Sequence, residues 1–525
     1  MVSGRPSLAR AGLIVTAAFL ASRLLGWVRM AVIGATFPPG SDLDHFFAAF
    51  RLPDLMFQLV AAGALSAALV PIVSGLHAHD QDARAWRVAS TVTTLVLAVL
   101  LVLAILVAIA APVLVPAFVS FDEAGEQQTV ELTRIMLLSP IFLAAAGVAT
   151  SILNAHGRFA ASAIAPLVYN LVIIAAAVFI APVLGVAGLA VGVVAGAVAH
   201  LAVQIRPLRG TGFRYRPEVD LSDPDARQAL VLMGPRAIGL GASQLTFVVA
   251  TSLASGLATG SVSAFTFAFT AFLIPLGIIG IPIGVVTLPS MSRDLARGEI
   301  AGYVSLVTRS LRLILFVMLP ITALGMVLRL QGVELLFGYG HFGPASVELT
   351  ASALLILLLA LPSEALIAIL ARAFYAARDT LTPVFAAILA VAINITFGIV
   401  AVTVLGLGLG GIALGIALGS WAEALLLLVV LDRRMPTFLP SDVLRAGAPA
   451  AAASLVAGVV ALAALGAVQG AAGSDIGKAT VVLEIVVAGG LGGLVYLAIS
   501  LALRIPELTT IVRLMSDALP RPGRP

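Results

Sequence analysis

The stretch that decides the fold covers residues 21–74 and reads ASRLLGWVRMAVIGATFPPGSDLDHFFAAFRLPDLMFQLVAAGALSAALVPIVS. Two apolar segments long enough to cross a bilayer carry Arg23, Arg29, Arg51 and Asp54 inside them or at their edges. A charged side chain at the centre of a bilayer costs roughly 2.5–3.5 kcal/mol on insertion scales, so it usually faces a cavity or a partner. Guanidinium groups bind phosphate through paired hydrogen bonds. The stretch therefore predicts a membrane protein that handles an anionic group within the bilayer.

Composition agrees with a membrane protein. The chain has 525 residues, of which 61% are hydrophobic and 11% charged, whereas soluble domains carry about 25% charged residues. This composition excludes a soluble enzyme. The chain has no cysteine, which excludes disulfides, thiol chemistry and cysteine-bound metals. Nucleic-acid binding needs a contiguous basic face, and the scattered arginines form none.

Apolar runs of about 20 residues recur along the whole chain and predict an all-α polytopic protein with about fourteen transmembrane helices. The predicted spans cover residues 9–36, 44–76, 85–118, 129–154, 159–182, 184–206, 225–256, 261–291, 300–329, 346–376, 381–405, 408–432, 443–468 and 477–504. If the N-terminus lies in the cytoplasm, arginines gather in the cytoplasmic loops, as at residues 206–216, and Asp122, Glu123 and Glu126 lie opposite. The positive-inside rule then predicts that both termini are cytoplasmic.

Two pairs of similar segments indicate an internal repeat. LVPIVS at residues 69–74 is echoed by TLPSMS at 287–292, and residues 154–163 are echoed by 375–384. Both offsets are close to 220 residues and span an even number of helices, which predicts two six-helix lobes related by an axis along the membrane normal. The predicted organisation is an N-terminal lobe (1–207), a cytoplasmic basic linker (208–217), a C-terminal lobe (218–434), two extra helices (435–504) and a cytoplasmic tail (505–525).

The first two spans hold most of the candidate site. Arg23 and Arg29 stand six residues apart and do not share a face of an ideal helix, but Gly26 between them permits local unwinding. Arg23 lies deep in its span, which favours a cavity over snorkelling to the interface. Arg51 and Asp54 stand three residues apart, and both a structural ion pair and contact with a substrate are open for them.

Other intramembrane polar residues are weaker candidates. Asp44 stands at the outer mouth and is interpreted as a helix cap. Arg236 lies about ten residues inside the seventh span, and Gln244 follows about two turns later. For Asn170 a hydrogen bond between helices competes with a binding role.

No enzyme signature occurs in the sequence, since it has no HExxH, GxSxG or P-loop motif. The six histidines are scattered without ligand spacing. We therefore predict a transporter without cofactor, metal site or catalytic residues, and leave a coupling ion open.

Several stretches in the same order resemble the MurJ/MviN family of lipid II flippases, in the multidrug/oligosaccharidyl-lipid/polysaccharide exporter superfamily. They are SRLLGWVR (22–29), DHFFAAFRLPDL (44–55), GALSAALVPI (63–72), RFAASAIAPLVYN (158–170), MGPRAIGLGASQ (233–244), PLGIIGIPIGVVTLPSMS (275–292), LFGYGHF (336–342) and FYAARDTLTPV (374–384). The resemblance implies fourteen spans, two lobes in a V and a central cationic cavity. It implies a flippase of the bacterial cytoplasmic (inner) membrane that moves lipid II outward by alternating access for peptidoglycan biosynthesis.

The resemblance also assigns residues. It implies that Arg23, Arg29 and Arg51 contact the pyrophosphate, while the family's basic residues are replaced here by Phe57 and Thr270. Our hypothesis is that Arg236 supplies the missing charge. Asp54, Asn170 and Gln244 are the remaining candidates for contact with cargo or for lining the cavity.

Two other functions stay open from the sequence. One is an exporter of the same superfamily for another lipid-linked glycan or for a drug exchanged for a cation. The other is a degenerate, non-transporting scaffold for cell-wall synthesis. Expected partners are lipid II or a related undecaprenyl-pyrophosphate-linked glycan, membrane lipids and cell-wall synthesis proteins.

Overall fold

Helices make up all of the regular structure in the residues that the structure, a computed structural model, describes. Those residues are 8–60, 64–435, 437–472 and 477–510. The helices are α1 (Leu8–Thr36), α2 (Ser41–Val60), α3 (Ala64–Ala78), α4 (Asp82–Phe118), α5 (Glu123–Met136), α6 (Ser139–Ala155), α7 (Phe159–Ala175), α8 (Ala181–Leu184), α9 (Val186–Arg209), α10 (Pro224–Ser255), α11 (Ser261–Pro275), α12 (Ile281–Ala296), α13 (Ile300–Val327), α14 (Arg329–Phe337), α15 (Pro344–Leu357), α16 (Leu361–Ala376), α17 (Leu381–Thr403), α18 (Gly408–Arg434), α19 (Pro440–Ala472), α20 (Lys478–Glu484) and α21 (Gly490–Ala502). The predicted all-α class is confirmed.

Short irregular turns join some helices into longer rods. They are the π-helical turns Ala176–Ile180, Leu276–Gly280 and Ile485–Gly489 and the 3₁₀ turn Leu358–Ala360. Three of these turns are followed within two residues by a proline, namely Pro182, Pro282 and Pro362. Proline cannot donate the usual helical hydrogen bond, so the helical register changes at these points without ending the rod.

Eleven of the described helical segments are long and apolar enough to cross a membrane. They confirm a multi-pass membrane protein, whereas the total of fourteen spans stays a prediction. The fourth predicted span, residues 129–154, is interrupted by a turn between Met136 and Ser139. Pro140 stands at the start of α6, where its missing N–H leaves no intrahelical bond unmade.

The chain divides into two compact units. Unit 1 comprises Met1–Thr266 and Tyr339–Ser346, and unit 2 comprises Phe267–Gly338 and Val347–Pro525. In unit 1, α10 packs against α2, α3 and α4. The two lobes expected from the repeat stay a prediction, and by its packing α10 belongs with the helices of the first two hundred residues.

The core of unit 1 is formed by α3, α4 and α6. Leu65, Leu69, Leu100 and Ile152 are fully buried there. A Cβ atom at Gly147 would lie 3.2 Å from Leu65 Cδ2, so this glycine permits the close approach of α6 to α3. In lipid, such close packing holds helices together without the help of expelled water.

The basic linker also belongs to unit 1 and lies along α4. Phe213 is buried, and its ring meets Trp86 edge-on with centroids 5.4 Å apart. Arg84 donates a hydrogen bond of 2.8 Å to Asp223, the residue that caps the N-terminus of α10. The Arg84 guanidinium holds the pKa of the Asp223 carboxyl below its usual range. These contacts fix the point at which α10 begins.

Unit 2 has its own polar and glycine contacts. A Cβ atom at Gly415 of α18 would lie 2.6 Å from the carbonyl oxygen of Asn394 in α17, so only glycine fits at this approach. Gln331 Nε2 donates a buried hydrogen bond of 2.9 Å to Glu484 Oε2, which joins α14 to α20. Helices in lipid are commonly linked by such hydrogen bonds.

One buried carboxylate in unit 1 connects α2 to the start of α11. Asp44 is 3% exposed, and its oxygens accept hydrogen bonds of 2.7 Å from Gly260 N, Ser263 N and Ser263 Oγ. The predicted role of Asp44 as a cap is thus seen, but the helix that it caps is α11 and not its own. Gly260 has φ +91° and lies close to Pro39, so a larger residue would be strained there.

We expect Asp44→Ala to lower the free energy of unfolding by about 2–5 kcal/mol, because it leaves the two buried backbone N–H groups of Gly260 and Ser263 without their acceptor. Thermal unfolding in detergent measures the change. Asp42→Ala is the matched control, since Asp42 lies in the same helical turn and is exposed. Equal effects of the two substitutions would contradict the capping role.

Candidate anion-binding site

Arg51 is held in place by side chains from two other helices of unit 1. Its Nε donates a hydrogen bond of 2.8 Å to Thr251 Oγ1, and one terminal nitrogen lies 3.5 Å from Thr266 Oγ1. The guanidinium carbon stands 5.6 Å from the centroid of the Phe247 ring, a cation–π contact. Guanidinium has five N–H donors, so this half-buried group keeps donors for an anion.

Asp54 is the acidic neighbour of Arg51, but the two form no ion pair among the described contacts. Asp54 interacts electrostatically with Arg51 and with Tyr169. Tyr169 in turn lies within electrostatic range of Arg29. Electrostatic interactions therefore link Arg29 to Tyr169, Tyr169 to Asp54 and Asp54 to Arg51.

Arg29 lines a small cavity of about 60 Å³ within unit 1. The cavity is otherwise apolar and aromatic, lined by Met30, Ile33, Phe46, Phe47, Phe50, Tyr169, Ile173 and Val193. A guanidinium in such surroundings has lost much of its hydration, which makes an anionic partner more favourable there than in water.

Arg23 does not share this cavity. Helix α1 is continuous through Gly26, so the local unwinding expected there is not present. The spacing of six residues then places Arg23 and Arg29 roughly 120° apart around the helix axis. Arg23 is exposed on α1, while Arg29 is half-buried.

The other candidates differ in position. Asn170 is 6% exposed, and its Nδ2 donates a hydrogen bond of 3.0 Å to Pro166 O in its own helix. Gln244 is half-buried in α10, seven residues before Thr251, so the two residues share a helical face. Arg236 belongs to α10, but its side chain lies outside the described residues. Roles for these three residues in binding stay predictions.

Three residues near the candidate site were not predicted from the sequence. Tyr169 precedes Asn170 directly, and an aromatic hydroxyl beside an intramembrane amide was the signal available. Thr251 and Phe247 recur at helical spacing from Gln244, which could have placed them on one face. Nothing in the sequence, however, pairs that face with Arg51.

The chain matches a family model and curated relatives over most of its length. The family model described as "Lipid II flippase MurJ" matches residues 33–476. A probable lipid II flippase MurJ of Rhizobium tropici is 32% identical over 440 residues, covering 82% of this chain and 81% of its own. The lipid II flippase MurJ of Burkholderia cenocepacia is 31% identical over 444 residues, covering 82% and 84%.

The chain belongs to the MurJ family of lipid II flippases. This membership confirms the resemblance and places the chain among membrane transporters rather than enzymes. A solved structure titled lipid II flippase MurJ, inward closed conformation, has a TM-score of 0.78 at 23% identity, covering 94% of this chain and 99% of that one. An inward-facing MATE family multidrug transporter has a TM-score of 0.62 at 18% identity, covering 79% and 95%. At these identities the two structures support the fold.

Two positions set this chain apart from the pattern that the sequence analysis expects of the MurJ family. Phe57 packs against the buried cluster of α3, α4 and α6, so an apolar side chain is accommodated where a basic one was expected. Thr270 is half-buried in α11. Arg29 and Arg51 are thus the arginines that this MurJ family member links through Tyr169 and Asp54.

We expect Thr251→Val to lower the free energy of unfolding by about 1–3 kcal/mol, because it removes an acceptor from a charged donor at nearly constant shape. A double-mutant cycle with Arg51→Lys should show a coupling energy of about 1 kcal/mol or more by thermal unfolding. Thr287→Val serves as control, since among the described residues the Thr287 hydroxyl donates to carbonyl oxygens of its own helix alone. Additive effects of the first pair would contradict the assigned contact.

Proposed function

We propose that this chain moves lipid II from the inner to the outer leaflet of the bacterial cytoplasmic membrane by alternating access, as a step of peptidoglycan biosynthesis. Membership of the MurJ family supports the cargo and the reaction. The observation in the structure that carries the proposal is that Arg29 and Arg51 are linked through Tyr169 and Asp54 inside unit 1.

The pyrophosphate of the cargo fits this arrangement chemically. It presents several anionic oxygens, and arginine binds such oxygens through two parallel N–H donors. Thr251 and Phe247 fix the orientation of the Arg51 guanidinium before cargo arrives, so little side-chain freedom is lost on binding. The Tyr169 hydroxyl adds a neutral donor beside Arg29.

Asp54 has a distinct place in the proposal. Its carboxylate attracts Arg51 without forming an ion pair with it, so it partly balances the cations while the cargo is absent. An arriving pyrophosphate competes with Asp54 for the arginines. Such competition weakens the bound state, and a transporter needs a bound state weak enough to release its cargo.

Coupling and topology belong to the proposal as well. We infer that both termini are cytoplasmic, because the arginine-rich loops then face the cytoplasm. Cell-wall synthesis proteins are the proposed recipients of the cargo. An ion gradient or the membrane potential is the proposed driving force, and no organic cofactor is invoked.

We expect the chain to rescue a bacterium depleted of its own lipid II flippase, and Arg29→Gln and Arg51→Gln each to reduce outer-leaflet lipid II by about 10–100-fold, the loss expected for one charge-assisted hydrogen-bonded contact. Labelling of lipid II at the cell surface, together with survival, measures the effect. Arg297→Gln is the control, because Arg297 is exposed at the end of α12.

The outcomes separate the functions that the sequence left open. Rescue by the unmodified chain with loss in both variants supports lipid II as cargo. A different cargo would be favoured if the protein inserts into the membrane without rescuing growth, and if the purified protein binds another undecaprenyl-pyrophosphate glycan. Equal rescue by a chain that carries both substitutions would contradict a transport role for the arginines and favour the scaffold.

Arg236 is tested separately as the substitute for the missing charges at Phe57 and Thr270. We expect Arg236→Gln to abolish rescue and Arg297→Gln to leave it unchanged. Restoring a cation with Phe57→Arg or Thr270→Arg should then recover part of the activity. Mild and equal effects of the two glutamine substitutions would contradict the hypothesis.

A further inference from the structure

Two histidines and an aspartate meet where three helices of unit 1 end or begin. His77 lies in the last turn of α3, Asp82 is the first residue of α4, and His156 follows α6. Their nitrogen and oxygen ligand atoms all lie within 4.8 Å of one another. His77 Nδ1 is 2.7 Å from Asp82 Oδ1, and the two imidazole rings have centroids 4.3 Å apart.

His156 presents a lone pair that nothing in the described chain satisfies. Its Nδ1 lies 2.9 Å from Ile152 O, and because a carbonyl oxygen can only accept, Nδ1 carries the proton. In a neutral ring Nε2 therefore holds the lone pair. His156 Nε2 is buried and has no hydrogen-bond partner among the described residues. A buried acceptor without a donor is costly, which indicates that a ligand is missing at this atom.

His77 and Asp82 are placed either as two metal ligands or as one ligand and the carboxylate that orients it. Asp82 faces His77 Nδ1, and a carboxylate that orients an imidazole in this way commonly stands behind a metal-bound histidine. Arg84, the nearest cation in the sequence, is engaged by Asp223 at 2.8 Å and by Asp225 at 2.9 Å. It therefore does not neutralise the cluster by pairing with Asp82.

We propose that His77, His156 and Asp82 form a binding site for a divalent transition-metal ion of the Zn²⁺ class. Imidazole nitrogen with one carboxylate suits Zn²⁺, Cu²⁺ or Ni²⁺, whereas Mg²⁺ and Ca²⁺ require oxygen ligands. The two imidazoles, with Asp82 either as a third ligand or as the carboxylate that orients His77, leave at least one tetrahedral position for water or an external ligand. The proposal is independent of lipid II transport, because it rests on a cluster that shares no residue with the arginine site.

The consequence of metal binding follows from where the ligands stand. The ion would connect the end of α3, the beginning of α4 and the end of α6, which meet at one end of unit 1. Trp86 stacks on His156 with an interplanar angle of 21° and centroids 5.3 Å apart, so the ring is already oriented. Occupancy would stiffen this end of unit 1 and raise its resistance to unfolding, since a ligand that binds only the folded state stabilises it.

The test uses the purified full-length protein without a histidine tag. Isothermal titration should show one equivalent of Zn²⁺ bound, and the melting temperature should rise on its addition. Cu²⁺ should quench fluorescence from Trp86, one of three tryptophans in the chain. His156→Ala and His77→Ala should each weaken binding at least about tenfold, since removing even a group that only supports a metal ligand typically costs that much.

His79→Ala is the matched control, because the Nδ1 atom of His79 lies 2.7 Å from Gly75 O and the residue is not part of the cluster. Trp86→Phe should abolish the quenching and leave the titration unchanged. An unfolding curve for each variant without metal shows that it is folded. Lack of stoichiometric binding, binding of Mg²⁺ with equal affinity, or equal loss in His79→Ala would overturn the proposal.

Discussion

The buried carboxylate of Asp44 is the constraint on which the candidate site depends. It accepts three hydrogen bonds of 2.7 Å at the start of α11, so α2 has one position along that helix end that satisfies all of them. Arg51 follows seven residues later and therefore lies on the same face of α2. The cap thus brings Arg51 beside Thr266, one turn further along α11. The buried acid thereby fixes the position of the Arg51 guanidinium within unit 1.

The arginines show how positive charge is kept among apolar helices without being neutralised by an ion pair. A full ion pair between Arg51 and Asp54 would remove the donors needed for an anion. Two threonine hydroxyls and the face of Phe247 instead hold Arg51 through neutral contacts, which orient the guanidinium and leave its charge available. Arg29 lines an apolar, aromatic cavity, which likewise leaves its charge available. Both groups are cations whose surroundings favour an incoming anion.

Much of the fold was predictable because transmembrane helices are indicated by a local pattern, namely apolar runs of about 20 residues. The apolar runs gave the helices to within a few residues, and Arg29, Arg51 and Asp54 stood out as charges in an apolar stretch. The partners were not predictable. Thr251 and Ser263 lie about 200 residues from Arg51 and Asp44, and no local period encodes such a pairing. Asp44 was expected to cap a helix, but its sequence position could not show which helix end lies opposite.

The histidines of the candidate metal site were not predictable from the sequence for the same reason. Spacing along the chain predicted no metal site, since His77 and His156 belong to different helices. Ligand spacing detects sites built on one local segment, whereas a site at the junction of three helix ends needs the packing of α3 against α6. Gly147 permits that packing, since a Cβ atom there would lie 3.2 Å from Leu65 Cδ2. The close approach of α3 and α6 thereby places the imidazoles of His77 and His156 side by side. The candidate metal site therefore follows from helix packing and not from ligand spacing along the chain.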